Sequence, residues 1–205
     1  MLITLEGIEG SGKSTLIASL AADLRSAGSD VLVTREPGGT VLGDALRKIF
    51  VDPGARIDPL AEAFLINASR AQLVSEVIAP ALKAGTIVLC DRFFDATVAY
   101  QGYGRGLDVE MLLRLSLAAT QSIAPDLTVL IDIPPEVSYE RVRARGLTDR
   151  LEREDAEFHA RVRAGYLMLA ERFDRIVIVD GTMSVGDVHA HAAQLIAHRR
   201  HGSHV

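Results

Sequence analysis

The chain has 205 residues, of which 48% are hydrophobic and 24% charged, and its formal net charge at pH 7 is −5. This length suits one well-buried domain, and an acidic chain lacks the basic face that general nucleic-acid binding requires. Its apolar runs fall short of the roughly 18–20 residues that cross a bilayer, and its single cysteine, Cys90, cannot form an internal disulfide. We therefore expect one cytoplasmic domain, residues 1–205, that binds neither nucleic acid nor membranes.

Short apolar runs alternate with longer segments of helical periodicity. The runs are rich in Val, Ile and Leu without polar alternation, as in strands buried on both faces; they are Leu2–Leu5, Val31–Val33, Ile87–Cys90, Leu127–Ile131 and Ile176–Val179. Periodicity predicts helices over 16–24 (ended by Gly28), 60–82 (bent near Pro80), 107–120, 135–144, 155–173 and 185–198, then a polar tail. This order predicts a three-layer α/β/α fold in which helices flank a parallel sheet of five strands.

The first predicted strand leads into GIEGSGKS, residues 7–14, which fits the P-loop pattern of Gly, four residues, then Gly-Lys-Ser. Its glycines let backbone N–H groups turn toward an anion, and the following helix N-terminus adds partial positive charge. Lys13 is expected to reach the β- and γ-phosphates of a nucleoside triphosphate, and Ser14 to offer its hydroxyl to Mg²⁺. The expected nucleotide site comprises Gly7, Ile8, Glu9, Gly10, Ser11, Gly12, Lys13, Ser14 and Thr15.

The loop motif serves GTPase switches, ABC and motor ATPases, and small-molecule kinases. The chain contains one asparagine, Asn67, so it lacks the Asn-Lys-x-Asp motif with which GTPases read guanine. An LSGGQ-like signature of ABC ATPases is also missing from the sequence. These two absences favour a kinase or another ATPase.

Two further segments place polar residues just after predicted strands, at the edge where ligands of parallel sheets bind. TREPGG, residues 34–39, predicts an irregular loop that carries Arg35 and Glu36. Asp91 and Arg92 follow the third predicted strand and suit a Mg²⁺ ligand and an anion-binding residue. The glycines of GYGRG, residues 102–106, predict a flexible bend beyond them.

Arginines crowd the segment ERVRARGLTDRLERED, residues 140–155. Arg141 and Arg145 share a predicted helix face, and Gly146 is expected to end the helix and begin a mobile segment. These residues alone leave two interpretations open: a solvated, salt-bridged helix, or a lid at about 141–154 that closes over a triphosphate and excludes water.

Together these motifs resemble the thymidylate kinases of bacteria. The resemblance is carried by GIEGSGKST, TREPGGT, ASRAQLV, CDRFFDATVAYQGYGRG, APDLTVLIDIPPEV and RARGLTDRLE, in the family's order and spacing across residues 1 to about 155. It implies a homodimeric P-loop nucleoside monophosphate kinase with a small arginine-rich lid. Its implied reaction is transfer of the γ-phosphoryl group of ATP to dTMP, giving dTDP, with Mg²⁺.

The resemblance also implies roles for individual residues. Glu9 corresponds to a loop acid that approaches the 3′-hydroxyl of the thymidylate sugar, which explains a carboxylate in an anion-binding loop. The implied acceptor site comprises Glu9, Arg35, Glu36, Pro37, Arg47, Ile66, Arg70, Arg92, Thr97, Tyr100 and Gln101, with Ser14 and Asp91 as metal ligands. The family carries its catalytic arginine either in the phosphate loop, where this chain has Gly10, or in the lid. The implied catalytic residues are therefore Glu9, Lys13, Arg92, Arg143, Arg145 and Arg150.

Two positions near the expected thymine site depart from the family's pattern. Ile66 stands where the family usually has Phe or Tyr to stack on the base, and Ala96 replaces a common serine. Phe64 lies on a different face of the predicted helix. Two alternatives therefore stay open: a kinase of another deoxynucleotide or nucleoside, and a P-loop switch ATPase without a small acceptor.

Overall fold

The computed structural model describes residues 1–146 and 149–201, and within these ranges a five-stranded parallel sheet lies between helices. The strands are β1 (Leu2–Glu6), β2 (Val31–Arg35), β3 (Ile87–Asp91), β4 (Leu127–Asp132) and β5 (Ile176–Asp180). The helices are α1 (Lys13–Ser26), α2 (Val41–Val51), α3 (Pro59–Leu73), α4 (Ala79–Lys83), α5 (Phe94–Thr97), α6 (Val109–Ala119), α7 (Pro135–Arg145), α8 (Ala156–Arg172) and α9 (Val185–His201). The predicted α/β fold and parallel sheet are confirmed.

The strand order β2-β3-β1-β4-β5 places β1 at the centre of the sheet. The chain order reverses around β1, and ligands of such sheets bind in the crevice that this reversal creates at the carboxyl ends of the strands. The segments that follow β1, β2 and β3 all emerge at this edge, as the parallel register requires. The topology therefore brings the phosphate loop, TREPGG and Asp91-Arg92 together.

Side chains of the central strands alternate between two faces of the sheet, because successive residues of a strand point in opposite directions. Ile3 and Leu5 enter a core shared with α1 and α9. Leu2 and Val88 enter the opposite core, where Leu73 of α3 packs. The outer strands β2 and β5 are only partly buried, so the prediction that all five strands are buried on both faces is wrong for these two. β2 and β5 are the edge strands of the sheet, and an edge strand has a neighbouring strand on one side only, so less of its surface is covered.

Two predictions about the helices before β3 need correction. The sequence analysis makes no prediction for α2. Thr40 caps the start of this helix: its Oγ1 accepts a hydrogen bond of 3.0 Å from the Gly43 N–H. Segment 60–82 is not one α-helix, because α3 passes into a π-helical stretch, Val74–Ile78, before α4. This change precedes Pro80, whose ring nitrogen cannot donate a helical hydrogen bond.

The predicted flexible bend at 102–106 is wrong for residues 102–104, whereas the chain does turn at Arg105 and Gly106, whose φ is 82°. Helix α5 continues as a π-helical segment, Val98–Gly104, that packs on α8. A Cβ on Gly104 would lie 2.7 Å from the Phe158 ring of α8, so glycine here permits close packing. The helical backbone fixes Tyr100 and Gln101 beside the ligand edge.

The structure describes only part of the predicted lid and of the predicted polar tail. Gly146 ends α7 in the left-handed conformation, as predicted, whereas positions 147–148 of the lid lie outside the described residues. Helix α9 continues to His201, past the predicted end at His198, and positions 202–205 of the tail are outside the described ranges. Among the described helices, none combines the length and apolar character needed to span a membrane.

Candidate active site

The phosphate loop fits tightly between β4 and α7, and its glycines permit this fit. Gly7 and Gly10 have φ angles of 135° and 73°, which disfavour other residues. A Cβ on Gly7 would lie 2.4 Å from the Ile131 carbonyl oxygen, and one on Gly10 would lie 3.1 Å from the Ser138 carbonyl oxygen. The sequence GIEGSGKS therefore places the loop directly under the first turns of α7.

Lys13 is buried at the start of α1, with its ammonium group inside the loop. Its Nζ donates to the carbonyl oxygens of Gly7 (2.9 Å) and Ile8 (3.0 Å) and to Ser11 Oγ (3.1 Å). Burial, together with the positive charge of Arg92, lowers the pKa of Lys13 to about 8. The loop thus holds a cation where the motif predicts contact with phosphates.

The predicted metal ligands lie beside the loop. Ser14 Oγ donates to Asp91 Oδ2 at 3.1 Å, which joins the first turn of α1 to the end of β3. A hydroxyl and a carboxylate are hard oxygen donors of the kind that Mg²⁺ prefers. In the described ranges there is no group of three or more His, Cys, Asp or Glu that could hold a metal ion. The pair therefore fits a Mg²⁺ that takes its other ligands from water and phosphates.

A cavity of about 340 Å³, which we call the phosphate cavity, opens over the loop. Lys13 lines it together with Arg35 at the end of β2, Arg47 in α2, Arg92 after β3, and Arg141 and Arg145 of α7. Arg47 donates to the Pro37 carbonyl oxygen at 3.0 Å, and burial lowers its pKa. Five carboxylates also line the cavity: Glu9, Glu36, Asp91, Asp149 and Glu152. The six cationic side chains suit phosphate groups, and the carboxylates suit a cation that accompanies them.

Arg92 and Glu9 form an ion pair at the wall of the phosphate cavity. Arg92 has a φ of 69°, and its guanidinium donates to Glu9 Oε1 (2.9 Å), the Tyr100 hydroxyl (3.1 Å) and the Tyr166 hydroxyl (3.1 Å). The Tyr100 hydroxyl donates to Glu9 at 2.7 Å. Burial by itself would raise the pKa of Glu9, but the positive charges of Arg92 and Lys13 and the hydrogen bond from Tyr100 together outweigh burial and hold this pKa below its ordinary value. Glu9 is therefore an ionised acceptor.

A second, mostly apolar cavity of about 40 Å³, which we call the base pocket, adjoins the phosphate cavity. Glu36, Pro37, Arg92 and Leu151 line both. These shared walls mean that one ligand can occupy both spaces. The remaining walls of the base pocket are Phe50, Ile66, Arg70, Phe93, Ala96, Thr97, Tyr100 and Gln101.

Arg70 and Gln101 are the polar groups that define the base pocket. Arg70 is 1% exposed. Its Nη2 donates to Glu36 Oε2 at 2.6 Å and to Thr97 Oγ1 at 2.9 Å, and its Nε donates to Glu36 Oε2 at 2.9 Å. Gln101 Nε2 donates to Glu62 Oε1 at 2.7 Å, while its Oε1 has no hydrogen-bond partner among the described residues. The pocket thus combines a fixed guanidinium with a vacant amide acceptor, as recognition of a heteroaromatic ring requires.

Known proteins match this chain along nearly its whole length. The sequence model of the family described as thymidylate kinase covers residues 5–192. The chain belongs to the thymidylate kinase family. The thymidylate kinase of Deinococcus radiodurans is 47% identical over 202 residues, or 98% of each chain, and that of Carboxydothermus hydrogenoformans is 52% identical over 179 residues, or 87% of this chain and 88% of that one.

The fold agrees with this membership. The crystal structure of thymidylate kinase from Ehrlichia chaffeensis has a TM-score of 0.78 and 33% sequence identity, and the match covers 96% of this chain and 98% of that chain. The resemblance inferred from the motifs is therefore confirmed at the level of the family.

Most site residues predicted from the family resemblance gather at the two cavities. The phosphate cavity takes Glu9, Gly10, Gly12, Lys13, Ser14, Thr15, Arg35, Glu36, Pro37, Arg47, Asp91, Arg92 and Arg145; the base pocket takes Ile66, Arg70, Thr97, Tyr100 and Gln101. Gly7, Ile8 and Ser11 contact Lys13 instead of lining a cavity.

The three lid arginines implied by the family pattern, Arg143, Arg145 and Arg150, separate in the structure. Arg145 shares a face of α7 with Arg141, and both line the phosphate cavity. Arg143 lies between them in sequence and lines a different cavity. Arg150 forms an ion pair with the buried Glu62 at 2.6 Å. The structure therefore does not bring Arg143 and Arg150 to the phosphate cavity.

The sequence analysis places Arg141 in the possible lid but assigns it no role at the site, whereas the structure puts it against the phosphate loop. Arg141 donates to the carbonyl oxygens of Gly10 (3.3 Å) and Gly181 (3.1 Å).

Two other residues of the site are missing from the sequence analysis. His159 Nδ1 lies 3.7 Å from Glu9 Oε2. Phe50 lies in α2, a helix that the sequence analysis does not predict. Its place in the base pocket depends on tertiary packing.

The depressed pKa of Lys13 predicts proton uptake when ATP binds. The free protein carries mostly charged Lys13 at pH 7 and mostly neutral Lys13 at pH 9, because this pKa is about 8. Phosphates favour the charged form, so ATP affinity is expected to fall by up to about tenfold per pH unit above pH 8. Calorimetry at pH 9 in two buffers of different ionisation enthalpy should show uptake approaching one proton. Equal heats in both buffers would contradict this expectation.

Arg92→Ala is expected to raise the KM for dTMP at least about tenfold and to change the KM for ATP much less, because a charge-assisted contact to the acceptor phosphate is lost. Steady-state ADP release measures both constants. Arg92→Lys, which keeps a charge beside Glu9, should give a smaller increase. Arg114→Ala is the control, since Arg114 is exposed on α6 and lines neither cavity. An unchanged KM for dTMP in Arg92→Ala would remove Arg92 from the acceptor site.

Proposed function

We propose that the protein transfers the γ-phosphoryl group of ATP to dTMP and gives dTDP. One observation carries the proposal beyond family membership: the phosphate loop, three acceptor-side arginines and the base pocket adjoin within one site. A donor triphosphate over Lys13 and an acceptor phosphate at Arg35, Arg47 and Arg92 would lie side by side there. A switch ATPase has no evident need for a second cationic cradle joined to an apolar pocket.

On the donor side, Lys13 and the backbone N–H groups of the loop neutralise charge on the β- and γ-phosphates. Ser14 and Asp91 would hold Mg²⁺, which when bound shields phosphate charge. Arg141 and Arg145 line the same cavity and are the lid residues positioned to reach the transferring group. Such contacts stabilise the charge of the transition state without a covalent enzyme intermediate.

On the acceptor side, Arg35, Arg47 and Arg92 hold the dTMP phosphate, one oxygen of which attacks the γ-phosphorus as the bond to ADP breaks. The ionised Glu9 accepts a hydrogen bond from the 3′-hydroxyl. Tyr100 is fixed by its hydrogen bonds to Glu9 and Arg92, and lies where a 2′-hydroxyl would be crowded.

The pyrimidine occupies the base pocket. Arg70 presents its guanidinium to one edge of the ring, and the vacant Oε1 of Gln101 can accept a ring N–H. Thr97 holds Arg70 in place through the hydrogen bond of 2.9 Å. A ring with an N–H donor and a carbonyl acceptor on one edge can donate to Gln101 Oε1 and accept from the Arg70 guanidinium.

The proposal is tested by measuring ADP production with ATP, Mg²⁺ and a panel of dTMP, dUMP, dCMP, dAMP, dGMP and thymidine. The highest kcat/KM is expected for dTMP. A higher value for dUMP or for the nucleoside would support a kinase of another acceptor. Sustained ATP hydrolysis without any acceptor, unaffected by dTMP, would support a switch ATPase instead.

The proposal includes a homodimer that acts in the cytoplasm, as the family resemblance implies. Exposed apolar side chains on neighbouring helices support a protein contact: Ile49 of α2, Leu60 and Phe64 of α3, and Leu117 of α6. Light scattering should give twice the chain mass of 22.1 kDa. A monomer mass at assay concentrations would exclude a functional dimer.

A further inference from the structure

The base pocket has an aliphatic wall where the family pattern has an aromatic one. Ile66 of α3 lines the pocket at this position, and Phe64 is 53% exposed and outside it. We propose that Phe50, at the end of α2, is the aromatic residue that contacts the pyrimidine in this chain. The inference rests on the proposed function, since it concerns the acceptor's base.

The position of Phe50 is the first argument. Helix α2 is largely exposed, and its buried residues are Gly43 and Phe50. Phe50 is 5% exposed, although it lies in the last turn, and it lines the base pocket together with Ile66 and Arg70. An aromatic ring that turns inward from an exposed helix end is therefore part of the wall of this pocket.

The contacts of Phe50 with the lid are the second argument. Arg150 Nε donates to the Phe50 carbonyl oxygen at 3.0 Å, and its guanidinium carbon lies 5.0 Å from the ring centroid. Arg150 is itself held by the buried Glu62. Phe50 lines the base pocket, whereas Arg150 does not. The cation–π contact fixes the ring before a base arrives, which reduces the ordering cost of binding.

The other aromatic residues of the pocket differ from Phe50 in burial and polar contacts. Phe93 is fully buried beneath Arg70 and packs beside Phe94. Tyr100 donates its hydroxyl to Glu9 at the wall of the phosphate cavity. All three rings lie beside a guanidinium, so the choice of Phe50 depends on its position at the end of an otherwise exposed helix.

The test compares Phe50→Leu with the double variant Phe50→Leu/Ile66→Phe, which moves the aromatic ring to position 66, another lining position of the base pocket. Phe50→Leu is expected to raise the KM and Kd for dTMP about three- to tenfold and to leave the KM for ATP unchanged, since a stacking contact has roughly that value. The double variant is expected to recover most of the lost dTMP affinity. Met168→Leu is the control, since Met168 is 52% exposed on α8 and lines neither cavity; it should behave as wild type.

The outcomes separate this inference from the proposed function. If the wild-type protein phosphorylates dTMP but Phe50→Leu binds dTMP with unchanged Kd, Phe50 is not a base contact. A Phe50→Leu variant whose KM values for dTMP and ATP rise together as Tm falls has lost a structural residue, which also overturns the inference. A double variant that binds dTMP no better than Phe50→Leu would count against it in the same way. Failure of the proposed function would appear earlier, as absent wild-type turnover with dTMP.

Discussion

Lys13→Ala is expected to lower kcat by at least about a thousandfold. The buried ammonium group of Lys13 is the loop's main source of full positive charge, and it neutralises negative charge on the transferring phosphoryl group. The three contacts of Lys13 Nζ with the loop show that the cation is already positioned there before a ligand binds. Alanine removes the charge and leaves the loop backbone in place. The measurement is steady-state ADP release at saturating ATP and dTMP.

Lys48→Ala is the matched control for this variant, since Lys48 is an exposed lysine of α2 that lines neither cavity. Its kcat should stay near the wild-type value. Thermal melting of Lys13→Ala should show that the variant is folded at the assay temperature. A kcat for Lys13→Ala within tenfold of wild type would refute the catalytic role of Lys13.

Arg70→Ala is expected to lower the free energy of unfolding by about 3–5 kcal/mol, because it leaves the buried carboxylate of Glu36 without its cation. Arg70 is 1% exposed and Glu36 is 4% exposed. Three of the hydrogen bonds of Arg70 end on Glu36. Urea unfolding followed by circular dichroism measures the change.

Arg172→Ala provides the comparison at the protein surface. The Arg172–Glu110 pair joins the same two residue types, but its side chains are 45% and 56% exposed, so its loss should leave the free energy of unfolding nearly unchanged. The double variant Arg70→Ala/Glu36→Ala should lose less than the sum of the two single variants, because the second change removes the unpaired charge. A loss for Arg70→Ala no larger than that for Arg172→Ala would show that the buried pair does not stabilise the fold.

The strands and the phosphate loop were predictable because their signals are local. Five apolar runs predict β1–β5, since a strand buried between two layers needs continuous hydrophobic surface. GIEGSGKS predicts its own conformation, because glycine is the residue favoured where φ is positive. The helical spacing of Arg141 and Arg145 likewise predicts that they share a face, and both line the phosphate cavity.

The sequence analysis missed helix α2 and misread the segment after α5. Leu42, Ala45, Leu46, Ile49 and Phe50 of α2 do follow helical spacing, but of the helix only Gly43 and Phe50 are buried. The glycines of GYGRG suggested a bend, but Gly104 serves close packing against Phe158. A glycine that permits packing and a glycine that permits a turn are identical in sequence.

The sequence by itself determined the fold class, the phosphate loop and membership of the kinase family, because each depends on residues that are near one another along the chain. Tertiary structure decided which arginines line the phosphate cavity and which aromatic rings line the base pocket. Arg143 is exposed on α7 and lines a different cavity, because it lies two residues from Arg141 and Arg145 and so on another helix face. Arg150 turns to Glu62 and Phe50, because contacts with distant segments outweigh its position in an arginine-rich run. Such contacts exist only once the sheet order has brought those segments together.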